Sequence, residues 1–319
     1  MQFRAKVQLN QKIVVIGNAV ADVVARMVDD VPRTGSLHPE TVQYFAGGCG
    51  NNVAMVLARL GAEVAIVACV GQDVFGDVLL AQWQSAGIET QYVMRHPTEP
   101  TGVTIVLVDS EGERRFISAP AANRFLTVDS LPSTLLDGIF ALHIAGFFTM
   151  PGIEEDALIP LLESARSRGI LTVLDPVGGS ARERREELLR LLPYLDIVLV
   201  NEDEGEKITD EQSADAIARI LFERGASTII AKLGSTGSRI YGKFGDFDVP
   251  PYPATTIDST GAGDAYIATL LASLVRGDDF HTATRWASAA GAATVEAIGA
   301  TGAWRGWKDL EKREMRNEK

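Results

Sequence analysis

Residues 255–268 read TTIDSTGAGDAYIA. A polar approach (Thr255, Thr256, Asp258, Ser259, Thr260) runs into the glycine turn Gly261-Ala262-Gly263 and a carboxylate, Asp264. Tyr266, Ile267, Leu270, Leu271 and Leu274 then recur at helical spacing. A glycine turn that opens a helix leaves backbone N–H groups unpaired and convergent, under the positive end of the helix dipole. Such a place binds anions, and phosphate is its usual guest. Asp264 sits at the lip, where a carboxylate is expected to stay ionised. A base beside a phosphate cradle suggests transfer of a phosphoryl group to a hydroxyl.

On both sides of this loop, short β-rich apolar runs alternate with amphipathic helical patterns, which predicts a parallel sheet covered by helices. Strands are expected at Lys12–Gly17, Val64–Val70, Ile139–Ile144, Ile170–Leu174, Ile197–Val200 and Thr228–Lys232. Helices are expected at Val53–Leu60, Asp77–Ala86, Glu154–Arg168, Glu183–Leu192 and Ala214–Arg224, then at Ala262–Val275 and Phe280–Ile298. Gly61, Gly87 and Gly169 end the first three of these. The charged tail WKDLEKREMRNEK is expected as a short surface helix or a frayed end. Residues 19–46 and 98–120 break the rhythm. The first holds Pro32, Gly35, Pro39 and a β-like TVQYF; the second alternates as two strands around a turn at Asp109–Gly112. They form either a small sheet of their own or edge strands of the main one.

With 319 residues, 46% of them apolar, the chain suits one large α/β domain, alone or with an appendage. A net charge of −12 argues against nucleic acid, which demands Lys and Arg in place of counterions. A nucleotide substrate stays open, since backbone dipoles, Mg²⁺ and a single Lys can meet its charge. No run of about 18 apolar residues offers a spanning helix, so no membrane is expected. MQFRAKVQLNQK lacks a signal-peptide core, so the cytoplasm is the expected compartment. Cys49 and Cys69 show neither metal spacing nor a disulfide framework and read as reduced thiols; four scattered His give no zinc motif.

The commoner phosphate loops are missing. There is no GxxxxGK[ST], and GNAVAD after the first strand lacks the dinucleotide fingerprint. Phe45–Asn52, FAGGCGNN, pairs a glycine hinge with Asn51 and Asn52 at a helix start, where they either cap or reach a ligand. Asp22 can grip vicinal hydroxyls or form a turn. Asn201–Glu204, NEDE, lies beyond a strand's carboxyl end and suits hydrated Mg²⁺ and polyphosphate, or an acidic helix N-terminus. Lys232–Gly237, KLGSTG, lets backbone approach a nucleotide, or makes a tight turn.

Taken in order, GGCGNNVAMVLARLGAEVAIVACVGQDVFGD, NEDE, KLGSTGS and DSTGAGDAYIA resemble the signatures of the PfkB family of ribokinase-like carbohydrate kinases over essentially the full chain. The resemblance implies an α/β fold: a doubly wound, mostly parallel sheet flanked by helices, with a small β-sheet lid. Residues 1–18, 47–97 and 121–319 would form the main domain, and 19–46 and 98–120 the lid, hinged at Gly47–Gly48. It implies Asp264 as catalytic base and Gly261, Ala262 and Gly263 as anion hole. Asn18, Asp22, Gly47, Gly48 and Asn52 would face the substrate. Asn201, Glu204, Lys232, Gly234 and Gly237 would border ATP, along with the segment near Ala289–Ala293, and Glu204 would hold Mg²⁺ through water. Asp258 and Thr260, with the loop Gly299–Gly302, would offer a site to K⁺ or Na⁺, and the lid would pair two subunits into a homodimer. One departure narrows the substrate. DPVGGSAR puts Val177 and Gly179 where several relatives carry Asn and Arg, so a sugar acid loses its counter-ion. The implied activity is ATP-dependent phosphorylation of a small neutral sugar, ribose- or fructose-like. A nucleoside kinase is the runner-up, with Phe147 and Phe148 stacking on a base unless they are core, and a non-catalytic sugar or nucleotide sensor is a third reading.

Overall fold

The chain opens with β1 (Lys12–Gly17), β2 (Val20–Arg26) and β3 (Thr41–Gly47), then α1 (Cys49–Arg59), β4 (Glu63–Gly71), α2 (Val74–Ser85) and β5 (Glu89–His96). β6 (Gly102–Val108) and β7 (Arg114–Ala119) precede β8 (Ile139–Ala145), α3 (Glu155–Ser167), β9 (Leu171–Asp175), α4 (Arg185–Leu191) and β10 (Ile197–Asn201). Next come α5 (Glu202–Thr209), α6 (Ala214–Glu223), β11 (Thr228–Lys232), β12 (Ser238–Gly242), β13 (Phe247–Val249), α7 (Ala262–Arg276), α8 (Phe280–Thr294) and α9 (Trp307–Asn317). This computed structural model describes residues 12–111, 113–178, 180–301 and 304–317.

Nine strands form one sheet in the order β13-β12-β11-β10-β9-β8-β1-β4-β5, parallel from β5 to β11 and antiparallel at β12 and β13. Helices cover both faces. In β1, Ile13 and Val15 join the core under α1, α7 and α8, while Val14 and Ile16 join the opposite core with α3 and α6. A strand buried on both faces reads as an unbroken apolar run, which is why KIVVIG was legible. The chain builds outward from β1 to β4 and β5, then returns to add β8 on the other side. The carboxyl ends of β1 and β8 thus mark the switch point at which open α/β sheets bind ligands. Packing there is tight: a Cβ on Gly17 would lie 2.5 Å from the Gly50 Cα at the head of α1.

The strands within 19–46 and 98–120 form a separate sheet, β3-β2-β6-β7, rather than edges of the main one. Its register pairs Asp22 with Phe45 and Thr104, and Thr104 with Ser118. Alternation therefore puts Asp22, Phe45, Thr104, Ser118 and, four residues before Ser118, Arg114 on one face.

Several expectations need correcting. β5 was not foreseen because ETQYVMRH, an edge strand of half-buried residues, carries no apolar run. The β12–β13 hairpin is short and mixed in polarity. The helix expected from Val53 begins at Cys49, and that expected to reach Ile298 stops at Thr294. Of the charged tail, residues 307–317 form the expected helix, anchored because Leu310 is fully buried and Trp307 Nε1 donates to the Leu60 carbonyl at 2.9 Å. Gly112 of the expected turn lies outside the described residues. Among the described residues no helix is long and apolar enough to cross a membrane.

Candidate active site

Gly261 caps α7 with φ +76°, a left-handed conformation, and a Cβ there would sit 2.3 Å from the Ala300 Cβ. Only glycine fits both demands. Asp264 follows in the first turn, buried, and Asn52 Nδ2 donates to its Oδ2 at 2.8 Å across 212 residues of sequence. Asn52 can reach because it lies within the first turn of α1, not ahead of it. Gly48, at φ +92°, is the N-cap, so neither Asn51 nor Asn52 caps the helix. Asn51 instead accepts from Trp83 Nε1 at 3.0 Å.

The other residues expected on this side converge as well. Asn18 Oδ1 accepts the Cys49 N–H at 3.0 Å, and a Cβ on Gly48 would lie 2.6 Å from the Asn18 carbonyl. The Asp22 carboxylate covers Gly47 so closely that a Cβ there would be 1.9 Å from Oδ2. Burial raises the Asp22 pKa from 3.8 to about 6; a Thr104 hydrogen bond opposes the shift, while the Asp258 and Asp264 charges add to it. Asn18, Asp22, Gly47, Gly48 and Asn52 thus form one wall beside Asp264.

The opposite wall stands on β9, β10 and β11. Asn201 and Lys232 are register partners at the carboxyl ends of β10 and β11. Lys232 Nζ lies 3.3 Å from both Asp175 carboxylate oxygens and 3.8 Å from Glu204 Oε2. It also sits at the head of α7, 3.2 Å from where a Gly263 Cβ would be. Asn201 and Glu204 make a capping box on α5: Asn201 Oδ1 accepts the Glu204 N–H at 2.8 Å and Glu204 Oε2 accepts the Asn201 N–H at 2.9 Å. They serve as the helix N-terminus that was the alternative reading of NEDE, while still flanking Lys232. Gly234, at φ +57°, has open space where a side chain would project. Gly237 has a structural reason of its own, since a Cβ at its φ of +101° would strike the Val249 carbonyl at 2.2 Å.

Three buried carboxylates, Asp175, Glu204 and Asp264, thus surround one ammonium. Burial pushes the Asp264 pKa above its ordinary value, with the Asn52 hydrogen bond and Lys232 opposing. The expected unperturbed lip carboxylate is therefore replaced by a desolvated one of greater basicity. Burial likewise raises Asp175 against the pull of Lys232. Burial alone would lower Lys232, but Asp175 and then Glu204 outweigh it and hold the ammonium above its ordinary value.

Asp258 lies apart from this group. Its Oδ1 accepts from Arg114 Nη1 and, at 2.7 Å, from the Thr260 N–H; its Oδ2 accepts the Gly299 N–H at 2.8 Å. Arg114 Nη1 also donates to Thr260 Oγ1 at 2.5 Å. The side-chain oxygens of Asp258 and Thr260, in the loop expected to hold K⁺ or Na⁺ through its carbonyls, are thus spent on a guanidinium. Gly302 and Gly179 lie outside the described residues. Phe147 and Phe148 are buried in the core and offer no platform for a base. Gly291, in the 289–293 segment, packs its helix against the start of α7, where a Cβ would be 3.4 Å from the Ala262 carbonyl.

The sequence reading passed over Asp175 and Arg114. The first carries the same signal as Asn201, a polar residue ending a parallel strand. The second, in a strand of another sheet, carries none.

The pfkB family carbohydrate kinase profile matches residues 10–305. The chain belongs to this family. PfkB carbohydrate kinases are phosphotransferases that act on sugar hydroxyls, and the relatives agree. A ribokinase of Staphylococcus aureus is 28% identical over 300 residues, covering 92% of this chain and 96% of that protein. Fructokinase-1 of Oryza sativa is 28% identical over 292 residues, covering 86% and 90%. Arabidopsis thaliana ribokinase, solved with ribose and ATP, superposes with a TM-score of 0.82 at 25% identity, over 96% of this chain and 99% of that one. An E. coli protein solved with ATP and Mg²⁺ also gives 0.82 at 25% identity, over the same shares. The broad sheet with its separate small sheet is the ribokinase-like fold.

Proposed function

We propose that this PfkB protein transfers the γ-phosphoryl group of ATP to a hydroxyl of a small neutral sugar, ribose- or fructose-like, with Asp264 as general base. The carrying observation is the position of Asp264: buried at the head of α7, held by Asn52, between the Asp22 wall and the Lys232 wall. A sugar gripped by Asp22, Asn18 and Asn52 presents a hydroxyl to Asp264. Asp264 takes its proton as that oxygen attacks the γ-phosphorus in line, and the N–H groups of Gly261, Ala262 and Gly263 receive the charge developing on the transferred group. Lys232, Asn201, Glu204 and the open Gly234 turn border the nucleotide, and Gly237 shapes the turn. Mg²⁺, when bound, neutralises phosphate charge and orients the phosphates. The excess of buried carboxylates over Lys232 suits such an ion. Glu204, already engaged in its cap, would hold it through water.

A neutral sugar is favoured over a nucleoside because Phe147 and Phe148 are buried and so are not available to stack on a base. We assign residues 19–46 and 98–120 as a lid over the cleft, hinged at Gly47–Gly48. Its outer face exposes Val42, Tyr44, Ile105 and Ile117, an apolar surface suited to a second copy in a homodimer. Comparing kcat/KM for ribose, fructose, adenosine, inosine and cytidine tests the substrate class. A neutral sugar is expected to lead, and a nucleoside preferred over every sugar overturns the reading.

The raised Asp22 pKa predicts a pH effect on binding. Ionised Asp22 accepts from hydroxyls through both oxygens, and protonation as the pH falls through about 6 turns one of them into a donor and weakens its grip. The sugar KM of the wild type is expected to rise about tenfold from pH 7.5 to pH 5, the loss of ionisation one unit below the pKa. Asp22→Asn should show a high KM that stays flat over that range. A wild-type KM independent of pH removes Asp22 from the sugar wall.

A further inference from the structure

Arg114 is the first residue of β7 and the only part of its strand to touch the loop that opens α7 through a charge. Its guanidinium lies against Asp258, of which only 4% is exposed, and against Thr260 Oγ1. Asp258 in turn orders the loop twice, accepting from the Thr260 N–H directly ahead of Gly261 and from the Gly299 N–H on the neighbouring loop. From below, the N–H groups of Ile257 and Asp258 donate to the Val295 carbonyl at the end of α8, at 2.7 and 3.0 Å. The small sheet meets the same loops again through Phe45, whose ring edge lies 3.4 Å from where a Gly299 Cβ would be. A buried carboxylate at this junction needs a positive partner, because unpaired it would draw water or a cation into the loop. The adjacent Arg115 does not supply one; it turns away, donating through Nη2 to the carbonyls of Val28 and Asp29 at 2.6 and 3.0 Å.

We propose that Arg114 is a positioning residue that serves as a built-in cation for the phosphate-binding loop. It does the work of a bound monovalent ion, and it ties the shape of the Gly261–Gly263 anion hole to the position of the small sheet. The proposal rests on the reading of that loop as the phosphate cradle. Its consequence is an enzyme indifferent to K⁺ and Na⁺, in which loss of the guanidinium creates a cation requirement.

The test compares wild type with Arg114→Met, Arg114→Lys and Arg115→Met, each in choline, Na⁺ or K⁺ chloride at matched ionic strength, with Mg²⁺ constant. Wild-type kcat and thermal midpoint should be the same in all three salts. Arg114→Met should lose about 10–10²-fold in kcat in choline, the cost of a misplaced catalytic loop, and recover much of it in K⁺ or with added guanidinium. Arg114→Lys should fall between the two, and Arg115→Met should behave as wild type. A readout independent of turnover is calorimetric affinity for a non-hydrolysable ATP analogue, together with the midpoint in its presence. For Arg114→Met both should rise with K⁺, and for wild type neither should. Strong K⁺ stimulation of the wild type over choline overturns the proposal, as does an Arg114→Met variant with wild-type kcat and analogue affinity in choline. Absence of turnover in every protein, wild type included, counts against the kinase reading and leaves the analogue measurements to decide on Arg114.

Discussion

Asp264→Asn is expected to lower kcat by about 10²–10⁴-fold or more while leaving ATP affinity nearly unchanged. Asparagine keeps the size and the contact with Asn52 but cannot accept the proton of an attacking hydroxyl. The rival account, a structural Asp capping the helix, is weakened because the cap position belongs to Gly261 and no side chain caps it. The two accounts also differ in stability. Burial raises the folded pKa of Asp264 above its ordinary 3.8, so the fold favours the neutral acid. The cost of ionising it accrues as the pH rises through the interval between the ordinary and the raised value, and it is present in full above that interval. Replacing Asp264 with a neutral amide removes that cost. The thermal midpoint of Asp264→Asn at pH 7.5 is therefore expected to be no lower than wild type, with activity nearly gone. A capping residue would show the opposite, near-normal kcat with about 1 kcal/mol of stability lost.

Gly261→Ala should damage both fold and chemistry. A side chain at φ +76° costs about 1 kcal/mol, and the new Cβ meets Ala300 backbone and side chain at 2.6 and 2.3 Å, overpacking worth about 1–3 kcal/mol more. The loop can accommodate it only by moving the N–H groups that form the anion hole, so kcat should also fall by about 10²-fold or more. Gly263→Ala provides the contrast. Gly263 is not in the left-handed region, and its new methyl would meet the flexible end of Lys232 at 3.2 Å. That variant should melt close to wild type yet turn over poorly, because the ammonium is displaced from the head of α7. Equal midpoints and equal kcat for Gly261→Ala and wild type would remove the loop from the site.

The fold was largely legible because its central strands are buried on both faces and several helices run into a glycine. KIVVIG, DIVLV and TIIAK announce themselves as apolar runs, and Gly61, Gly87 and Gly169 sit in left-handed turns with open space around them. What failed to announce itself lies towards the ends of the sheet: β5 and β13 are its edge strands, and they and β12 mix polar with apolar residues. At the site, the residues that end parallel strands or open helices could be read, because chain topology alone carries them to the switch point. Contacts across the sequence could not. Asn52 meets Asp264 over 212 residues, Arg114 meets Asp258 over 144, and Lys232 meets Asp175 over 57. The desolvation that raises Asp264 and Asp22 is likewise a property of packing, invisible in TGAGD or GNAVAD. The resemblance to carbohydrate kinases suggested a cation beside Asp258; the side-chain geometry puts Arg114 there.

The most direct measurement is product analysis after incubating the wild type with ATP, Mg²⁺ and the sugar of highest kcat/KM. The account predicts ADP and a sugar heavier by one phosphoryl group, formed in equal amounts, with both lost in Asp264→Asn. ADP accompanied by inorganic phosphate and unmodified sugar would contradict it, as would ATP and sugar bound by calorimetry with no ADP formed.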